Sequence, residues 1–169
     1  AAVDQDPSWA PDGKRVVFSS NRSGSMQLHV INLVTKTMHR ITSRGTTNAF
    51  AYEPSWSPTG TVIAFSRSYS NRQDLYTVRP NGTGLHHVTP NSHHSYNLAD
   101  QAPDGSRMAY MRWHVGGVKM AIYVSTSAGR HQHRISPPRL QGWWPDWSPR
   151  GRRIVFASQV FGDRPSPKL

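Results

Sequence analysis

The chain has 169 residues, 36% of them hydrophobic, with a mean hydropathy of -0.63 and no cysteine. That length suits one domain with a sizeable core, and the lack of cysteine excludes disulfides, thiolate metal sites and a cysteine nucleophile. Twenty basic residues, sixteen of them Arg, stand against nine acidic ones for a net charge of +11, and no apolar run approaches the ~18–20 residues of a membrane span.

The first element is a polar run entering a turn at residues 6–13 (DPSWAPDG), then a short apolar strand at Val16, Val17 and Phe18. A β-rich run follows at 28–31 (LHVI), and a last short run at 39–42 (HRIT). The same order then returns: 53–60 (EPSWSPTG), Ile63 to Phe65, 75–78 (LYTV) and 86–89 (HHVT). A third copy reads 98–105 (LADQAPDG), Met108 to Tyr110, 122–125 (IYVS) and 133–136 (HRIS). A fourth, 144–151 (WPDWSPRG) with Ile154 to Phe156, supplies only two strands before the tail. The turn glycines Gly13, Gly60, Gly105 and Gly151 are 47, 45 and 46 residues apart, a period that signals an array or propeller.

Four short antiparallel strands per unit of about 45 residues make a β-propeller blade. The fold class expected is therefore all-β, a propeller of four-stranded antiparallel blades, with about three and a half blades in this chain. Trp9, Trp56 and Trp147 would fill the space between blades, with Gln101 the exception at that position.

The Pro-x-Trp-Ser-Pro-Asp-Gly signature, Ser-Asn-Arg before the third strand and Asn-Gly-Thr-Gly before the closing Val-Thr resemble the TolB-type repeat. This is also called the PD40 or WD40-like β-propeller repeat. The resemblance covers the chain to about Ser158, placing blades at about 1–43, 48–89 and 96–136, a half blade at 142–158 and a tail at 159–169. It implies a periplasmic or secreted setting. The N-terminal AAVD carries no signal-peptide pattern, and without an initiator Met the expectation is a chain processed or excised from something longer. Ring closure is open between two partners, a homodimer mate or the missing remainder of the same chain.

Catalytic motifs are lacking: no Gly-x-Ser-x-Gly elbow, no His-Glu-x-x-His and no phosphate-binding Gly-rich loop. No cofactor or metal is expected. His39, His86 and His133 share one position on successive last strands and read as rim residues. His93 and His94 share a loop but supply only two of the three or four donors a firm site uses. Asp6, Glu53, Asp100 and Asp146 stand near the starts of innermost strands, where they would line a central channel and bond backbone.

The loops before each innermost strand share a face with those between the second and third strands. Arg22, Arg72, His93, His94, Tyr96, Trp113, His114 and Trp143 gather there as candidate ligand or partner contacts, although Tyr52 and Trp144 read as inter-blade packing. The function expected is a non-catalytic binding or scaffold module for a protein or carbohydrate. The alternatives are the propeller portion of a serine peptidase or polysaccharide lyase, and a basic polyanion binder. The excess of Arg fits the last, but it also fits a GC-rich coding sequence, and the arginines are spread along the chain, so nucleic acid is not favoured.

Overall fold

The computed structural model describes residues 1–160 other than 46–47, 91–92 and 118. The first two gaps fall in inter-blade loops and residue 118 in a loop within blade 3, and residues 161–169 of the expected tail lie outside the described residues. Fourteen strands are described, in three four-stranded antiparallel sheets and one two-stranded sheet. Blade 1 comprises β1 (Asp4–Trp9), β2 (Arg15–Ser20), β3 (Gln27–Asn32) and β4 (Met38–Arg40). Blade 2 is β5 (Phe50–Trp56), β6 (Ile63–Tyr69), β7 (Arg72–Val78) and β8 (His86–His87). Blade 3 is β9 (His94–Gln101), β10 (Arg107–His114), β11 (Ala121–Thr126) and β12 (His133–Arg134). Blade 4 has β13 (Leu140–Trp147) and β14 (Ile154–Val160). Each sheet is a meander in chain order, as hairpin-length connections require.

The core consists of three layers between successive blades, because alternate side chains point to opposite faces and each facing pair of blades buries one set of them. Val17, Leu28 and Val30 of blade 1 meet Trp56, Ile63, Phe65 and Val78 of blade 2. Ala64, Leu75 and Val88, on the other face of blade 2, meet Tyr96, Met108 and Tyr110. Ala109 and Val124 of blade 3 meet Trp147, with Ile154 packed alongside. Each of the larger side chains contributes about 1.5–3 kcal/mol by leaving water.

One expectation needs correcting. Trp56 and Trp147 are buried between blades, at 6% and 8% exposure, but Trp9 is 61% exposed. The tryptophan packs toward the preceding blade, and among the described residues nothing precedes blade 1. At the other end Val155, the counterpart of the buried Val17 and Ala64, is 67% exposed.

Candidate functional site

Each innermost strand carries an irregularity at one place. Register slips between Gln5 and Ser8, between Tyr52 and Ser55, opposite Ala109 and Met111, and between Trp143 and Asp146. At these bulges Asp6, Glu53, Leu98 and Trp144 adopt left-handed backbone, with φ of 52°, 52°, 53° and 51°. That conformation costs an L-residue about 1–2 kcal/mol, and the four bulges gather around one cavity. Asp6, Glu53 and Asp100 border a cavity of about 240 Å³ together with Leu98, Trp144 and the bulge prolines Pro7, Pro54 and Pro145. Trp144 is 66% exposed there, so the expected inter-blade packing of this ring is not what the structure shows.

These carboxylates join the blades. Asp6 accepts the Glu53 N–H at 3.3 Å, Glu53 accepts the Leu98 N–H at 3.2 Å and the Ser66 hydroxyl at 2.8 Å, and Asp100 accepts the Trp147 N–H at 2.8 Å. Ser8 does the same for the Trp56 N–H at 3.2 Å. Burial pushes the Glu53 and Asp100 carboxyls above the ordinary range, against the pull of these hydrogen bonds. Asp146 is exposed, lies beside Asp100 and adds to the upward push on it. Asp6, Glu53 and Asp100 each hold a backbone N–H of the next blade, and Asp146 stands beside Asp100.

A concavity of about 520 Å³ lies at the loop face of blade 3. The ends of β9 and β10 contribute His94, Arg112, Trp113 and His114; the lead-in to β11 contributes Lys119 and Met120; β12 gives Arg134; the approach to β13 gives Arg139; and β13 itself gives Gln141. No carboxylate lines it among the described residues. Arg112 sits 4.1 Å from the Tyr123 ring centroid and reaches His94 Nε2 at 3.1 Å and Gln132 Oε1 at 3.4 Å. The His94 and His114 rings meet edge to face at 5.5 Å. Partial burial lowers the His94 pKa, and Arg112 and His114 lower it further, so His94 is neutral at pH 7. Arg134 spans the carbonyls of Ser136, Pro137 and Leu140, fixing the rim loop.

Three of the eight sequence candidates, His94, Trp113 and His114, therefore line one pocket. Trp143 stands behind it, its indole N–H pointing at the Met120 sulfur at 2.9 Å. His93 is exposed just before β9, where its carbonyl accepts the Val115 N–H at 3.1 Å. The other three are elsewhere. Tyr96 is 2% exposed, packed on Tyr110 between blades 2 and 3. Arg22 belongs to blade 1, paired with Asp4 at 2.6 Å over the Phe18 ring.

Arg72 grips the fully buried Asp74 at 2.8 Å and the Tyr69 hydroxyl, while Tyr69 bonds Asp74 at 2.6 Å. His87 approaches the same carboxylate at 3.2 Å and stacks on Tyr76. The rim histidines His39, His86 and His133 are exposed, and His39 Nε2 meets the Pro80 carbonyl at 3.0 Å. Among the described residues no three acidic or histidine side chains converge as metal ligands.

Sequence reasoning missed Lys119, Arg134 and Arg139. One signal was available: Ile122 follows its turn glycine by 17 residues where Leu28 and Leu75 follow theirs by 15. The longer connection carries Lys119 and Met120 to the rim.

Comparison with known proteins defines the lineage. Residues 1–165 match the family model of the TolB β-propeller domain, PD40. TolB from Acinetobacter baumannii superposes with a TM-score of 0.77 at 21% identity, covering 95% of this chain and 39% of that one. A puromycin-hydrolyzing peptidase of Mycobacterium tuberculosis gives 0.71 at 13% identity, over 93% and 28%. A chain of a nidogen/laminin complex gives 0.65 at 13% identity, over 83% and 51%. The chain thus spans about half or less of the length of these structures, and at such identities the likeness is one of fold. No curated protein sequence matches significantly. No helix among the described residues is long and apolar enough to cross a membrane. By its repeat signature, its blades and its family match, the chain belongs to the TolB β-propeller domain family.

Proposed function

We propose that the chain is a non-catalytic binding module whose loop face takes an anionic ligand, an acidic protein segment or an acidic glycan, in a periplasmic or secreted setting. The observation that carries it is the blade 3 pocket. Arg112, Lys119, Arg134 and Arg139 surround a cavity of about 520 Å³ that also offers Trp113, His94 and His114. Guanidinium groups bind carboxylates and sulfates in a planar, two-pronged manner, and an adjacent indole gives a sugar ring or peptide an apolar face. Placed together, they select charged ligands over neutral ones. A second reading is the propeller portion of a larger enzyme. It draws on the peptidase likeness and predicts that the same pocket faces a catalytic domain.

The test is titration calorimetry with an oligouronate and an acidic peptide, each beside its neutral counterpart. The expected result is binding of at least one acidic probe, weakening with salt and lost in Arg139→Ala and Trp113→Ala. Equal affinity for acidic and neutral probes, or binding that ignores both substitutions, refutes the assignment.

A further inference from the structure

The meander order gathers one set of hairpin turns at the end of the molecule opposite the loop face. Connections 10–14 and 33–37 of blade 1, 57–62 and 79–85 of blade 2, 102–106 and 127–132 of blade 3, and 148–153 of blade 4 all leave their sheets on that side. Successive blades keep the alignment: Pro11 lies 3.2 Å from where a Cβ on Gly60 would stand, Thr59 3.6 Å from that of Gly105, and Pro103 3.4 Å from that of Gly151. The basic residues of these turns run from Lys14 and Lys36 through Arg79 and Arg130 to Arg150, Arg152 and Arg153. Their acids are Asp12 and Asp104, and both are engaged within their own turns. Asp12 accepts the Lys14 N–H and the Arg15 guanidinium, each at 2.8 Å, and Asp104 accepts the Ser106 N–H at 2.9 Å and its hydroxyl at 2.8 Å. The hairpin face is therefore strongly positive.

Between blades 1 and 2 this face opens into a cleft of about 390 Å³. Arg15, His39 and Arg79 line it, with Thr37 and Thr61, and no carboxylate does among the described residues. The Arg79 guanidinium comes within 3.0 Å of the Cβ position of Gly84, a close approach that glycine permits, and no acid pairs with it among the described residues. A carbonyl can only accept, so His39 donates Nε2–H to the Pro80 oxygen at 3.0 Å and ties blade 1 to the blade 2 hairpin. Two aliphatic side chains stand out on the same two hairpins, Val34 at 68% exposure and Leu85 at 50%. The Val34 tip is held in shape, because Asn32 Oδ1 accepts the N–H groups of Val34 and Thr35 at 2.9 and 3.1 Å.

We propose that the hairpin face docks on an anionic lipid surface, with Arg15, His39 and Arg79 around a headgroup phosphate in the cleft and Val34 and Leu85 entering the headgroup layer. Basic residues near such a surface and apolar side chains that reach its acyl boundary are the two contributions that hold a peripheral protein there, and guanidinium groups suit phosphate. A nucleic acid fits less well, since none of the seven connections contains a Phe, Tyr or Trp on which a base could stack. The loop face points away from the lipid in this pose, so the blade 3 pocket stays open to its own ligand.

The test is co-sedimentation with vesicles of about 30% phosphatidylglycerol in phosphatidylcholine, beside pure phosphatidylcholine, at about 0.05 and 0.5 M salt. Wild type is expected to bind the anionic vesicles at least about tenfold more strongly than the neutral ones, and less so at high salt. Lys36→Ala with Arg79→Ala, verified as folded by circular dichroism, is expected to weaken partition by about 25-fold, about fivefold for each cation. Val34→Ser with Leu85→Ser weakens it at both salt concentrations, as loss of an apolar contact does. Arg44→Ala and Arg139→Ala, both on the loop face, leave it unchanged, which separates this result from the fate of the blade 3 pocket. Equal binding to both vesicles, hairpin variants that bind as wild type does, or loss of binding in Arg139→Ala overturns the inference. Capture by a DNA duplex without vesicle binding makes the face a nucleic-acid surface and overturns it too.

Discussion

Truncating the same residue type at the same repeat position should have opposite consequences in blades 1 and 2. Trp56 is 6% exposed in the layer between Val17, Val30 and Phe65, with Arg15 over its ring, whereas Trp9 is 61% exposed. Removing a buried indole costs about 3–5 kcal/mol from lost transfer energy and the cavity left behind. The cation–π contact adds about 0.5–1 kcal/mol. Trp56→Ala is therefore expected to lose about 4 kcal/mol, a large share of the roughly 5–15 kcal/mol that holds a domain folded. Trp9→Ala should change stability by less than about 0.5 kcal/mol. Urea unfolding followed by far-ultraviolet circular dichroism reads both. With a slope of about 2 kcal/mol/M, Trp56→Ala lowers the midpoint by about 2 M and Trp9→Ala leaves it nearly in place. Equal shifts would refute the claim that the tryptophan is buried only by the blade before it.

Glu53 tests the blade junction. Burial raises its folded pKa above the ordinary 4.5, so its contribution to stability is fully present below that value and is lost as pH rises through the folded pKa. Glu53→Gln keeps an acceptor for Leu98 and Ser66 but no charge; its stability relative to wild type should improve from pH 4 to pH 8, and a decline over that range in urea titrations refutes the assignment. Glu53→Ala orphans the Leu98 N–H and should cost about 2 kcal/mol. In blade 2, Asp74→Ala strands the Arg72 guanidinium and is expected to cost about 3–5 kcal/mol, against about 1 kcal/mol for Tyr69→Phe. Thermal unfolding showing the two variants alike would dismiss the idea of a carboxylate-centred network.

The period of about 46 residues, the strand order and the inter-blade role of Trp56 and Trp147 were legible because they recur, and recurrence marks what every blade needs. What one blade does alone was not. Asp74 stands where blade 1 has Gln27, which instead bonds the Ala49 carbonyl at 2.9 Å, so no repeat pattern announces a buried ion pair there. The blade 3 pocket draws Arg112 from β10, Arg134 from β12 and Arg139 from the next connection, positions far apart in sequence that only the meander assembles. Tyr96 and Arg72, singled out as loop-face residues, turned inward because one found an aromatic neighbour between blades and the other a buried carboxylate.

The acids of the innermost strands show how a mismatch in sequence register can conceal one physical role. Asp6 and Glu53 sit on the bulge itself, whereas Asp100 and Asp146 stand two residues further on, with Leu98 and Trp144 taking the bulge positions. Residues two apart on a strand point to the same face, so either position can aim an oxygen at the next blade. From the bulge the carboxylate reaches the N–H of the following bulge, as Glu53 does with Leu98; from two residues on, it reaches the N–H at the tryptophan position, as Asp100 does with Trp147. An acceptor in either place satisfies a backbone donor that the distorted ladder leaves without a strand partner. Blade 1 uses both places at once, Asp6 on the Glu53 N–H and Ser8 on the Trp56 N–H. The geometry of the junction, rather than the identity of any one position, is what the repeat preserves.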